Sequence, residues 1–341
     1  DDNNIYECSD NDDDGCEDCY SGSYDTSNDG PDNDGDGQCD VGDVDLALHD
    51  GPNLISFYAL PESGDYSVEN IFGGLGDNAI KIFGESSVAL NLGESWVGSL
   101  SDVSDDDGYW LIVGENDNLQ VQGIPTAPVS YTLNEGNNLI SYSYLYAQDI
   151  DSGLSGTGAD GNMYAIYGEG EMATVIDDVW LGGLAQTGFE GGKGYWFVAN
   201  QDFQFEYNEP TPGAFARAPQ IERPEHLTFA QSMNQYFYFI TEATVNGNEL
   251  TSNDWIVAYK DDVVVGSRQY QEGGMIDLPI MGAMSESQVS EYKDPIGGVQ
   301  FHSPSAKTEE ILSLTSRYCD SGDIPTIKVH RSNGEIIDLI I

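Results

Sequence analysis

The stretch Leu48-His49-Asp50-Gly51-Pro52-Asn53-Leu54-Ile55-Ser56-Phe57 returns as Leu133-Asn134-Glu135-Gly136-Asn137-Asn138-Leu139-Ile140-Ser141-Tyr142. Three further segments recur in the same order. Ile82-Phe83-Gly84-Glu85 comes back as Ile166-Tyr167-Gly168-Glu169, Trp96-Val97-Gly98-Ser99-Leu100 as Trp180-Leu181-Gly182-Gly183-Leu184, and Gly108-Tyr109-Trp110 as Gly194-Tyr195-Trp196. The offset stays between 84 and 86 residues. Four ordered matches at nearly constant spacing mark a tandem duplication of one unit of about 80 residues. Within the first copy, short β-branched and aromatic runs at 53–58, 79–83 and 109–113 are bounded by Gly, Asp, Asn and Ser clusters. Such runs between turn-forming clusters predict short strands and tight turns, hence an all-β fold of β-sandwich-like units. Only 67–75 reads as a single helical turn.

The repeat sets the organisation of the chain. Copy one occupies 44–126 and copy two 127–208. A stretch with Pro210, Pro212, Pro219 and Pro224 spans 209–224 and reads as an extended spacer. Residues 225–341 read as a C-terminal β-sandwich domain, with strands at 235–241, 255–260, 263–270 and 324–330 and a last one at 335–341. A chain of 341 residues is long enough for each unit to bury a core of its own.

Ahead of the repeat, residues 1–43 contain no Lys or Arg and are dominated by Asp, Asn, Gly and Ser, a composition typical of disorder. The spacing of the aspartates argues otherwise. Asp32-x-Asp34-x-Asp36-Gly37-x-x-Asp40-x-x-Asp43 is matched by Asp10-x-Asp12-x-Asp14-Gly15-x-x-Asp18, and a shorter version, Asp25-x-Ser27-x-Asp29-Gly30, lies between them. Calcium takes six to eight oxygen ligands, which alternate acidic side chains can supply from one short loop when a Gly permits the tight turn. These twelve side chains are therefore the expected ligands, and Ca2+ the expected cofactor. The competing reading, a solvated acidic tail, does not require two full matches with Gly at the sixth position and Asp at the ninth. Cys8, Cys16, Cys19 and Cys39 crowd into the same segment, where almost no apolar residue can build a core, so cross-links or ions must hold it. Cys16-x-x-Cys19 could also be half a zinc site or a redox pair. No second CxxC or paired His follows at zinc-finger spacing, and no βαβ pattern surrounds the pair.

The aspartate loops and their cysteines, over residues 8–43, resemble thrombospondin type 3 repeats and the related loops of bacterial surface proteins. In that family a Cys just after one loop pairs with a Cys within the next. The resemblance implies Cys19–Cys39 and Cys8–Cys16, and leaves Cys319 unassigned. It departs from the family at Ser21, where a loop-ending Asp is expected. The rest of the chain resembles modules of large secreted and surface proteins of marine bacteria, including those exported by type IX secretion. The matching stretches are the Asn-Leu-Ile-Ser-aromatic and Gly-Tyr-Trp segments, together with Asp254-Trp255-Ile256-Val257-Ala258-Tyr259, Val265-Gly266-Ser267-Arg268 and Leu278-Pro279-Ile280-Met281-Gly282. That likeness implies an extracellular or cell-surface location and no particular activity.

A formal charge of −49, from 60 acidic and 11 basic residues, repels nucleic acid and anionic membrane. A saline, calcium-containing medium would screen the self-repulsion. No run of eighteen apolar residues is present to insert into a membrane. The chain opens on Asp1-Asp2-Asn3-Asn4 with neither a basic nor an apolar leader, which suits a mature secreted protein.

Catalytic signatures are absent from the sequence. It has no Gly-x-Ser-x-Gly elbow, P-loop, His-Glu-x-x-His or dinucleotide fingerprint, and His49, His226, His302 and His330 are scattered. Among 60 acids a glycosidase-like carboxylate pair carries no signal. Trp96, Trp110, Trp180 and Trp196 read first as core, with sugar stacking as the competing reading. The terminal run Ile336-Ile337-Asp338-Leu339-Ile340-Ile341 can pair within its own domain or complete a neighbour's sheet. The leftover Cys319 suggests a free thiol or a bond between chains. Taken together, these features point to a non-enzymatic, calcium-binding extracellular structural protein that self-associates into a fibre or array. The alternative is a glycan-binding adhesin or an accessory module of a secreted enzyme.

Overall fold

The computed structural model describes residues 23–26, 42–215, 222–245, 247–271 and 274–339. Strands dominate, in agreement with the all-β expectation, and the longest helix is Thr308–Thr315.

The duplication is plain in the topology. In copy one a five-stranded antiparallel sheet runs in the order Gly51–Ile55, Tyr109–Val113, Ala79–Phe83, Val88–Asn91, Trp96–Gly98. In copy two the order is the same: Gly136–Ile140, Tyr195–Ala199, Met163–Tyr167, Met172–Ile176, Val179–Leu181. Register is preserved as well, since Leu54 pairs with Trp110 as Leu139 does with Trp196, and Asn91 with Trp96 as Val175 does with Trp180. A two-stranded ribbon accompanies each sheet, Asp43–Leu48 with Asp117–Gln122 in copy one and Tyr131–Leu133 with Phe203–Phe205 in copy two. In copy one Val44, Leu46, Leu119 and Val121 from the ribbon share a core with Ile55, Ile82, Leu111 and Val113 from the sheet. Copy two fills the same space with rings, Phe205 lying 5.1 Å from Tyr131 and 5.0 Å from Tyr207. The expected helical turn is Val68–Ile71, with the Ser67 hydroxyl accepting the Asn70 N–H as its N-cap.

Strand bounds differ from the expected ones mainly at their ends. The run at 53–58 becomes Gly51–Ile55, because Ser56 and Phe57 turn away to make contacts with the second copy and the core. The last strand is Ile336–Asp338, which pairs with Thr326–His330 at the edge of its own sheet. That is the first of the two options open to the terminal run.

The C-terminal region carries a four-stranded sheet, Val263–Gln269, Trp255–Lys260, Thr326–His330, Ile336–Asp338, and a pair formed by Gln235–Ile240 and Ile276–Met281. It does not stand apart from the repeats. Tyr109–Val113 is buried at all five positions, which a sheet open to water on one face would not allow. Its second face is covered by C-terminal side chains: Ile80 and Ile112 pack with Met284, Val289 and Ile311, and on copy two Ala165, Met172 and Val198 pack with Phe237. Pro210 is buried and lines a small cavity with Tyr58 and Tyr144. Cys319 is a free thiol 6% exposed, in the core of the C-terminal region, where burial pushes its pKa up.

Candidate functional site

Three of the four repeated motifs converge where the two copies meet, and each of these reaches from one copy to the other; the tryptophan and leucine of the Trp-x-Gly-x-Leu motif pack within their own copy. The Asn53 amide ties down its own turn, donating to the carbonyls of His49 at 2.8 Å and Gly51 at 3.0 Å, and Asn138 does the same to Asn134 at 2.8 Å and Gly136 at 3.1 Å. With the turn fixed, the next residue points its N–H across the junction. Leu54 N–H donates to Glu169 Oε2 at 2.8 Å, and Leu139 N–H to Glu85 Oε2 at 3.1 Å. The carbonyls of the same two leucines accept Gly194 N–H at 3.2 Å and Gly108 N–H at 3.3 Å. The Ser56 hydroxyl donates to the Lys193 carbonyl at 2.6 Å, and the Ser141 hydroxyl to the Asp105 carbonyl at 2.5 Å. A Cβ at Gly108 would stand 2.8 Å from the Ile140 carbonyl oxygen, and one at Gly194 2.7 Å from that of Ile55. Glycine at these two positions is what lets the backbones come this close. Leu54, Trp110 and Leu139 form the apolar centre of the contact, with Trp196, Phe83 and Met233 against them.

The contact is a pseudo-two-fold with unlike ends. At one end Glu169 meets His49, Nε2 to Oε1 at 2.6 Å, while His49 Nδ1 lies 2.8 Å from the Asp50 carbonyl oxygen. Both ring nitrogens thus face acceptors, an arrangement that favours imidazolium. Burial works to lower the His49 pKa, but the hydrogen bond and charge of Glu169 outweigh it and the net shift is upward. Burial works to raise that of Glu169, yet His49, Lys193 and the Leu54 N–H hold it below the usual range. At the other end Asp107 bridges to Ile140 in the position that Lys193 takes opposite Ile55. Asp107 is raised to about 6 by burial and by the charges of Asp106, Glu85 and Asp105. One end of the joint is neutralised and the other is like-charged.

The C-terminal region locks onto copy two through a buried carboxylate. The Asp277 side chain, 1% exposed, accepts Met172 N–H at 2.9 Å, Gly183 N–H at 2.8 Å and Arg268 Nη2 at 3.0 Å. Arg268 Nη2 also donates to the Gly170 carbonyl at 2.7 Å. Where both copies and the C-terminal region meet, a cavity of about 470 Å³ is lined by His49, Glu169, Glu171, Thr187, Arg223 and Arg268, among others.

Of the expected calcium ligands, Asp10, Asp12, Asp14, Asp18, Ser27, Asp29, Asp32, Asp34, Asp36 and Asp40 lie outside the described residues, as do Cys8, Cys16, Cys19 and Cys39. Asp25 is exposed. Asp43 opens the first strand of copy one, 8% exposed, and its carbonyl accepts the Tyr58 hydroxyl at 2.5 Å. Among the described residues no group of three or more His, Cys, Asp or Glu side chains is placed to hold a metal, and no helix is long and apolar enough to cross a membrane. The tryptophans sit in packing positions: Trp110 is 4% exposed, Trp96 and Trp180 pack on the cores of their own copies, and Trp196 is half-buried in the junction. Glu85, Glu169, Asp277 and Arg223 were not singled out for a role by sequence reasoning. For the two glutamates a signal existed, because both close the repeated Ile-aromatic-Gly-Glu motif.

Comparison with protein-family models, curated proteins and solved structures gave no match. The likeness to thrombospondin type 3 repeats and to marine bacterial surface modules therefore rests on the motifs quoted above.

Proposed function

We propose that the chain is a non-catalytic extracellular structural protein, in which a calcium-binding aspartate segment precedes a β body that self-associates on the cell surface. The observation that carries this reading is the use made of the repeated motifs. The residues the two copies share most faithfully, Asn-Leu-Ile-Ser, Gly-Glu and Gly-Tyr-Trp, are spent on joining copy to copy. The acids that a hydrolase would keep poised in a cleft are already engaged: Glu169 by His49 and Leu54, and Asp277 by three donors. A molecule of this charge self-associates only where cations or salt reduce the repulsion between subunits. Calcium at the aspartate loops supplies that condition in seawater-like surroundings.

The test is sedimentation velocity of the full chain at high ionic strength, with millimolar calcium and with chelator. Calcium-dependent polymers are expected. A monomer under every condition overturns the proposal. The open side of the edge strand Ile336–Asp338 is the first surface to probe, because Ile336 is 57% exposed there and an edge strand presents unpaired backbone groups to a further strand. Ile336→Lys is expected to suppress polymers while leaving the monomer folded.

A further inference from the structure

A second cavity, of about 360 Å³, opens between copy one and the C-terminal region, and its lining includes a buried lysine. Lys81 lies in the strand Ala79–Phe83, 2% exposed, at the position that copy two fills with Ala165. Its Nζ donates to the Ser287 carbonyl at 2.6 Å and to the Glu291 carbonyl, and stands 4.6 Å from the centre of the Phe83 ring. Glu291–Lys293 pairs with Gln300–His302, and this hairpin forms one wall. Phe83, Val88, Tyr292 and Pro295 make the lining largely apolar, while Ser99, Lys293 and Gln300 stand exposed at the rim. A charged group is costly to bury, and the joint has no need of one here, since Ala165 packs the same position of copy two.

Such surroundings bring the neutral amine within reach. Burial lowers the Lys81 pKa to about 8, although the Glu291 charge pulls it upward. Lys260 and Lys307, held by Asp323 and Glu115, are shifted the other way. A neutral amine has two N–H groups and one lone pair, so the carbonyls of Ser287 and Glu291 take both hydrogens and leave the lone pair over. A desolvated lysine of this kind is a nucleophile, and with carbonyl compounds it forms imines. A volume of about 360 Å³ falls in the range of small-molecule sites, and the walls suit an aliphatic or aromatic body. We propose that this cavity binds a small apolar aldehyde and holds it as an imine of Lys81. The step balances without a co-reactant. One proton leaves the ammonium for water, and the freed lone pair bonds to the carbonyl carbon. C=N then replaces C=O as the oxygen departs as water, carrying a proton returned from solvent and a second from the nitrogen. The last N–H stays on the iminium, where one of the two backbone carbonyls still accepts it. The inference stands on this cavity and not on the assembly reading, so either can fail without the other.

The test is reductive trapping of the full chain with benzaldehyde and with hexanal in the presence of cyanoborohydride, followed by peptide mapping by mass spectrometry. At pH 8 about half of Lys81 is neutral, against about 0.3% of an amine at the ordinary 10.5. Trapping at Lys81 is therefore expected to run at least about tenfold faster than at Lys260, Lys293 or Lys307 and to level off above about pH 8. The rate is expected to saturate with aldehyde concentration, and benzyl alcohol, which has the ring without the carbonyl, is expected to compete. Glyoxylate and glucose, as polar aldehydes, are expected to show no preference for Lys81. Lys81→Arg keeps the cation and should abolish the saturable reaction. Should that variant fail to fold, Val88→Phe keeps the amine and fills the cavity, and is expected to slow trapping at Lys81 while leaving Lys260 unchanged. The proposal is overturned if Lys81 reacts no faster than the exposed lysines, if its rate does not saturate, if the polar aldehydes are preferred there, or if Val88→Phe with wild-type melting traps at the wild-type rate.

Discussion

Glu85 and Glu169 occupy one position of the repeat, yet the structure assigns them unequal weight, and Glu169→Ala should prove much the costlier change. Removing Glu169 strands the N–H of Leu54, a residue with no exposure, at a cost of about 1–3 kcal/mol for an unsatisfied buried donor. It also ends the contact with His49, whose side chain is 39% exposed, so screening limits that part to about 1 kcal/mol. The sum is about 2–4 kcal/mol. Glu85 is itself exposed and its bond to Leu139 is longer, at 3.1 Å, so water can replace much of what Glu85→Ala removes, and the expected cost is about 1 kcal/mol. Urea unfolding followed by tryptophan fluorescence measures both, with Trp110 and Trp196 reporting from the junction itself. The pH dependence gives a second reading. The folded pKa of His49 lies above its ordinary 6.5, so the ion-pair contribution is complete below that value and is lost as pH rises through the raised pKa. The gap between the two variants should therefore narrow on the alkaline side. Equal costs for Glu85→Ala and Glu169→Ala, or a gap that widens with pH, would refute the reasoning.

Four further outcomes are expected. Asp277→Ala leaves Arg268 and two backbone N–H groups without their acceptor and should cost about 3–5 kcal/mol by chemical denaturation, the usual range for breaking a buried pair from one side. Asp107→Asn should stabilise the chain at neutral pH by at most about 1 kcal/mol, because the carboxyl is only partly withdrawn from solvent and water still screens the neighbouring charges. Because Asp107 is raised to about 6 when folded, it lowers stability as pH climbs from its ordinary value towards 6, and the gain in melts of the variant should vanish near pH 4. Trp110→Ala should cost about 3–5 kcal/mol, the range for a core aromatic, and Trp196→Ala less; a loss below about 1 kcal/mol for Trp110 would mean that the ring is not packed as described. Chelation of calcium should raise protease sensitivity within 1–43 before the rest of the chain responds, and identical digestion patterns with and without calcium would remove the aspartate-loop reading.

The duplication was legible because a repeat can be seen without any knowledge of contacts. Strand cores such as 79–83, 109–113 and 255–260 were legible because β-branched and aromatic runs ended cleanly at turn formers. What the repeated residues do was not legible. Glu169 and Leu54 are partners across more than a hundred residues, and no local period reports such a pairing. The unbroken apolar run of Tyr109–Val113 did carry a clue, since a sheet buried on one face alternates and this one does not. Read together with the boundary at 225, it should have predicted that the C-terminal region lies against the repeats. The cavity was invisible for the same reason, its walls coming from three separate parts of the chain.

The paired contacts between Leu54 and Glu169, and between Leu139 and Glu85, form an isologous closure: each copy offers the other the surface it receives. A head-to-tail repeat leaves a fresh acceptor at its growing end, so it can be lengthened indefinitely by further duplication, as in solenoids. Here two copies exhaust each other. A third tandem copy would find no vacant Leu N–H and no idle glutamate at this face, so the architecture counts to two and stops. Lengthening of any fibre must then proceed by whole chains meeting through surfaces outside the duplicated joint.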